Sequence, residues 1–139
     1  MRKDDNTIIQ IRVRIMDAKK VNVLIVDDDP DLLRLCSSHL SLLNLNVVGT
    51  ATNGFEAIEM LNDSIIKPDV IVIDYHMPKI NGIETSKEIL KIDSSYKIIM
   101  ISGYPSIKNE ALSNGINEFI EKPFNFQKLY ERIKQVAQK

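Results

Sequence analysis

The chain has 139 residues, 44% of them hydrophobic and 27% charged, enough for one domain with a real core and too apolar for wholesale disorder. No aliphatic run is long enough to cross a bilayer, and the charged first 20 residues exclude a secretory leader. One cysteine, Cys36, excludes an internal disulfide and points to a reduced, cytoplasmic setting, while a net charge of −1 leaves no electrostatic footprint for nucleic acid.

Residues 1–20 form an N-terminal extension and residues 21–139 the domain. The extension holds six Lys/Arg against three Asp, the body twelve against sixteen Asp/Glu, so a basic arm precedes a mildly acidic domain. Within residues 7–16, Ile9, Ile11, Val13 and Ile15 alternate with Gln10, Arg12 and Arg14 at a strand period. This stretch reads as an extra edge strand, a partner-binding arm or an unstructured leader, with Met16 a natural start just ahead of the domain pattern.

From Val21 onward five apolar runs alternate with five helix-like segments. The runs are Val21–Val26, Val47–Ala51, Val70–Ile73, Ile98–Ile101 and Glu118–Ile120. Three are almost continuously apolar and β-branched, as strands buried on both faces of a parallel sheet are. Between them Asp29-Pro30 opens a helix with Leu33, Cys36, Leu40 and Leu43 on one face. Asn53-Gly54 opens a second, with Ala57, Ile58 and Leu61, and Gly82 begins a third, with Ile89 and Leu90. Ser106 is expected to cap a fourth that ends at Gly115, and Asn125 a fifth bearing Phe126, Leu129, Ile133 and Val136. Five strand–helix repeats predict an α/β, flavodoxin-like, doubly wound parallel sheet of order 2-1-3-4-5, with helices on both faces.

Ligands of such sheets bind beyond the carboxyl ends of the strands. There the sequence places Asp27, Asp28 and Asp29 after the first run, Asp74 after the third, Ser102 after the fourth and Lys122 after the fifth. Nothing in the apolar pattern requires this gathering. Unit charges about 4 Å apart repel by about 4 kcal/mol at an effective dielectric of about 20, so the carboxylates need a cation. Oxygen ligands without His or Cys suit Mg²⁺ or a similar ion. Asp74, alone at the end of the central strand, is the candidate nucleophile for an acyl phosphate, with metal, lysine and hydroxyl to neutralise the phosphoryl oxygens. Asp29 reads as a helix cap, Cys36 as a small buried apolar residue, His39 as a helix-surface or interface histidine, and the His76 side chain as no ligand.

The motifs Leu24–Pro30, Asp69–Pro78 with Asn81-Gly82, Met100–Gly103 and Glu121–Phe124, in this order and spacing over about residues 21–138, resemble the receiver (response-regulator) domain of two-component signalling, similar to the single-domain chemotaxis regulators. The resemblance implies Asp74 as phosphoacceptor, Asp28 as direct ligand of Mg²⁺ (or Mn²⁺), Asp27 as a ligand directly or through water, and the backbone carbonyl of His76 as a third protein ligand. It also implies Ser102 as switch hydroxyl, Lys122 as the phosphoryl-pairing lysine before a cis proline, and Phe119 as the aromatic switch residue. Tyr104 lies where family members tune water access. The implied function is a cytoplasmic, phosphorylation-activated switch rather than an enzyme acting on other molecules. Its partners would be a sensor histidine kinase or phosphotransfer protein and, through the helix 4, strand 5, helix 5 face, a downstream protein or a second copy, with no nucleic acid or membrane bound by the domain. A receiver cut from a larger regulator with a separate output domain is the alternative. A haloacid-dehalogenase-type phosphatase would need an aspartate where His76 stands, and a flavodoxin-like carrier a hydroxyl- and glycine-rich loop where the three aspartates stand.

Overall fold

The computed structural model describes residues 6–10, 20–63 and 66–139. Five parallel strands, β1 (Asn22–Val26), β2 (Asn46–Ala51), β3 (Val70–Asp74), β4 (Lys97–Ser102) and β5 (Glu118–Glu121), form one sheet of order β2-β1-β3-β4-β5. The connecting helices are α1 (Pro30–Leu42), α2 (Gly54–Asn62), α3 (Gly82–Ile92), α4 (Lys108–Ser113) and α5 (Phe126–Ala137). The expected topology is the observed one.

The pleat sends alternate strand residues into two cores. Val23, Ile25, Val70, Val72, Ile99 and Ile101 face α1 and α5, meeting Leu33, Cys36, Leu40, Leu129, Ile133 and Val136. Leu24, Val26, Ile71, Ile73, Ile98 and Met100 face the other layer, meeting Ala57, Leu61, Ile83, Ile89 and Ala111. Every residue of β3 is buried, which is why its run shows no polar alternation. Each fully buried aliphatic side chain stabilises the fold by about 1.5–3 kcal/mol, so the central strands are the least movable part of the molecule.

Most helix starts follow their caps. Asp29 accepts from the backbone N–H of Asp31 and Leu32, Asn53 from Glu56, and Asn125 from Lys128. Asn81 accepts from Glu84 N while Glu84 Oε1 accepts from Asn81 N, a reciprocal box that opens α3.

One expectation is corrected, and one alternative for the N-terminal stretch is narrowed. Ser106 caps nothing: it lies inside a 3₁₀ turn, Pro105–Ile107, and α4 starts after Ile107 without a side-chain cap. Proline at the first position of a turn loses no needed N–H, so the turn begins one residue ahead of the serine. Residues 6–10 are helical and exposed rather than extended, because helical hydrogen bonds close locally and a strand there would need a neighbour. The remainder of the alternating stretch, residues 11–16, lies outside the described residues. Gly115 does end the fourth segment, at φ 90°, just past the Asn114 cap.

Candidate functional site

Four strand ends deliver the polar cluster. Asp27 continues from β1 with its N–H bonded to Ala51 O of β2 at 3.0 Å, and its Oδ1 accepts from Asp29 N at 2.9 Å. Asp74 is the last residue of β3, one position inside the strand rather than after it. The next residue is pinned on both sides: Tyr75 N donates to Ile101 O at 2.9 Å, and Tyr75 O accepts from Gly82 N at 2.8 Å. Gly82 is essential to this arrangement. A Cβ there would stand 2.6 Å from Asp74 O and 2.9 Å from Tyr75 Cα, so only glycine lets the start of α3 press against the strand end. Lys122 N donates to Ser102 O at 2.9 Å, which ties the β5 corner to the β4 corner.

The three expected carboxylates and Lys122 do come together. Carboxylate oxygens of Asp27, Asp28 and Asp74 all lie within 4.8 Å of one another. Asp27 and Asp74 are buried and Asp28 is exposed, so the cluster opens to solvent on the Asp28 side. Lys122 Nζ approaches Asp74 Oδ1 to 2.8 Å. It does so outside hydrogen-bonding angles, so this enclosed oxygen has an ionic neighbour but no directed donor. The Lys122–Pro123 peptide is cis.

The electrostatics follow from burial and crowding. Burial pushes the Asp27 carboxyl up to about 6; the Asp29 N–H and Lys122 pull against that, while Asp74 and Asp28 add to it. Burial also raises Asp74, partly offset by Lys122. Burial opposes the charge on Lys122, but the contact with Asp74 and the fields of Asp27 and Asp28 outweigh it and hold the ammonium above its ordinary range. Two buried acids kept from ionising freely, beside the exposed Asp28, are a set of oxygen donors that could hold a hard divalent cation.

Ser102 is buried, and its Oγ accepts from Tyr104 N at 3.0 Å, so the hydroxyl currently organises its own loop. Phe119 is half-buried against the α2–α4 layer. The His76 side chain is exposed, 5.3 Å from the Tyr104 ring between centroids, and does not belong to the carboxylate cluster. Cys36 is buried and its thiol is pushed up to about 11 by burial and by Asp27, as befits a packing residue. His39 bridges two helices, stacking on Phe126 of α5 with centroids 4.1 Å apart. Sequence reasoning missed the role of Gly82 at Asp74; the Asn81-Gly82 pair was visible, but the close approach was not.

Comparison with known proteins places this geometry. The family model described as response regulator receiver domain matches residues 23–134. The chain is 38% identical over 117 residues to chemotaxis protein CheY of Thermotoga maritima, covering 83% of this chain and 96% of that protein. Among solved structures it resembles the complex of CheX, CheY, BeF₃ and Mg²⁺ from Borrelia burgdorferi, with a TM-score of 0.78, 30% identity, and 84% of this chain and 88% of that one covered. It also resembles the response regulator domain of Thermotoga maritima CheB, with a TM-score of 0.78, 34% identity, and 87% and 98% covered.

Proposed function

Because the chain belongs to the response regulator receiver domain family, we propose that Asp74 is its phosphoacceptor and that Ser102, Lys122 and Phe119 convert the added charge into a change of surface. The domain is a phosphorylation-activated signalling switch, and its donors are of the histidine kinase or phosphotransfer class. One observation carries the residue assignment: a buried Asp74 oxygen lies 2.8 Å from Lys122 Nζ inside a three-carboxylate cluster.

A carboxylate oxygen of Asp74 attacks the phosphorus of a phosphohistidine. The new O–P bond makes an acyl phosphate as the N–P bond breaks, and the imidazole leaves with that electron pair. Asp27, Asp28, Asp74 and the backbone carbonyl of His76 would hold Mg²⁺ or Mn²⁺, and the bound ion would supply positive charge for the phosphoryl oxygens. Lys122 neutralises charge from the other side. The new phosphoryl oxygens compete for Ser102, whose Oγ already anchors Tyr104 N, so the β4–α4 loop must move when Ser102 turns. Phe119, half-buried at rest, then packs inward and reshapes the α4–β5–α5 face. A downstream protein or a second copy binds there, in the cytoplasm where such donors work. The domain acts on no substrate but its own acyl phosphate.

The test is intact-mass measurement after incubation with Mg²⁺ and phosphoramidate. Wild type should gain one phosphoryl group and Asp74→Asn none. Full labelling of Asp74→Asn would move the site elsewhere.

A further inference from the structure

The corner between β5 and α5 carries Lys122, and few hydrogen bonds hold it. Lys122 N donates to Ser102 O at 2.9 Å on one side, and Asn125 caps α5 on the other. Between them Pro123 has no N–H, and among the described residues no main-chain carbonyl accepts from the N–H of Phe124 or Asn125. A surface hollow of about 420 Å³, lined by Leu32, Lys122, Pro123, Phe124 and Phe126, leaves one side of the corner without packing partners. Nor does the ammonium fix itself, since Nζ meets Asp74 Oδ1 off the hydrogen-bonding direction. Where Lys122 stands is therefore set by what holds the side chains of the corner.

Those side chains run as a row of rings to α1. Phe124 and Phe126 are half-buried against the α1–α5 core, and their rings meet edge to face with centroids 6.0 Å apart. Phe126 in turn lies flat on His39, with centroids 4.1 Å apart and planes 18° from parallel. His39 is the fixed end of the row. Its Nδ1 is 3.0 Å from Leu35 O, one turn back in α1. A carbonyl only accepts, so the proton sits on Nδ1 and the bond orients the ring. Leu33, Cys36 and Leu40 anchor α1 itself in the core.

Resting on the reading of Asp74 as phosphoacceptor, we propose that His39 is a positioning residue for Lys122: its ring, through Phe126 and Phe124, holds the corner from which the ammonium reaches Asp74. The imidazole touches no reacting atom, and its contribution is geometric.

Phosphorylation rates with Mg²⁺ and phosphoramidate, together with amide hydrogen exchange at Lys122, test it. His39→Ala should slow labelling about tenfold, while His39→Phe, which keeps a ring face, should stay within about twofold of wild type. In the Lys122→Ala background, His39→Ala should change the rate by no more than about twofold, because the group it positions is gone. The Lys122 N–H should exchange about tenfold faster in His39→Ala, with the amides of β3 unmoved. Where β3 loses protection as well, Phe126→Leu removes the stack from the α5 side with the same expectations. A wild-type rate in His39→Ala, no rescue by His39→Phe, an equal loss in both backgrounds, or an unmoved Lys122 amide overturns the proposal. If wild type takes up no phosphoryl group, the reading of Asp74 fails instead, and exchange at Lys122 alone decides for or against the row of rings.

Discussion

The two halves of the site are built differently. The β1–β3 half holds Asp27 and Asp74 at the ends of strands whose last residues are buried, and α3 closes it with a reciprocal cap and five buried residues. The β4–β5 half hands over to a 3₁₀ turn, then to a six-residue α4 with no side-chain cap and one buried residue, Ala111. Tyr104 is 54% exposed and Phe119 only half-buried on that side. The contrast fits a switch: the acids and Ser102 stand on buried strand ends, while the loop after Ser102, the aromatic ring and α4 sit on the part with least packing to lose.

Removing the cation that joins the halves should give the largest effect. Lys122→Ala should still accept a phosphoryl group at Asp74 but show none of the amide chemical-shift changes that phosphorylation produces in β4, α4 and β5. An undiminished spectral response would free Lys122 from the role assigned to it. On the rigid side, Gly82→Ala should cost about 1–3 kcal/mol in urea unfolding, because the new methyl meets backbone at Asp74 and Tyr75 as well as the more yielding Met100 Cε. Wild-type stability there would mean α3 can retreat, and the two halves would then be equally soft.

Protonation of Asp27 sharpens the same comparison. Its carboxyl titrates near the ordinary 3.8 when unfolded and at about 6 when folded. The unfolded chain therefore gives up this proton first, and the metal-free fold loses stability as pH rises between those values. A cation needs the ionised form, so Mg²⁺ affinity should fall by up to about tenfold per pH unit below about 6, as calorimetric titration would show. A flat profile down to pH 5 would remove Asp27 from the ligand set. The smallest effect is a pair: Asn81→Ala should cost about 1 kcal/mol, and Ser106→Ala no more than about 0.5 kcal/mol, in thermal or urea melts. Equal costs would give the α4 start a cap that its geometry lacks.

Much of this was legible in the chain. Val70–Ile73 reads as a doubly buried strand because it has no polar position, and an aspartate directly after such a run has to stand at the sheet's rim. Asp27, Ser102 and Lys122 are placed by the same reasoning, so the polar residues at the strand ends could be named without coordinates. The alternation over residues 7–16 left strand, partner-binding arm and unstructured leader open; only its first residues, 7–10, are described, and they are helical, since a strand period is rewarded only where a partner strand exists. Ser106 misled because Pro105 starts a turn ahead of it.

By itself, then, the sequence determined the order of strands and helices, the two-sided burial of the sheet and the identity of the polar residues at its rim. These follow from hydrophobic period and chain connectivity, which are local properties. Only the tertiary structure decided that Gly82 must lie against Asp74 O, that Lys122 meets Asp74 off the hydrogen-bonding direction, that Ser102 Oγ is held by Tyr104 N, and that His39 stacks on Phe126. Those are distances and angles between residues far apart in the chain or across a turn, and they exist only once the helices have packed on the sheet.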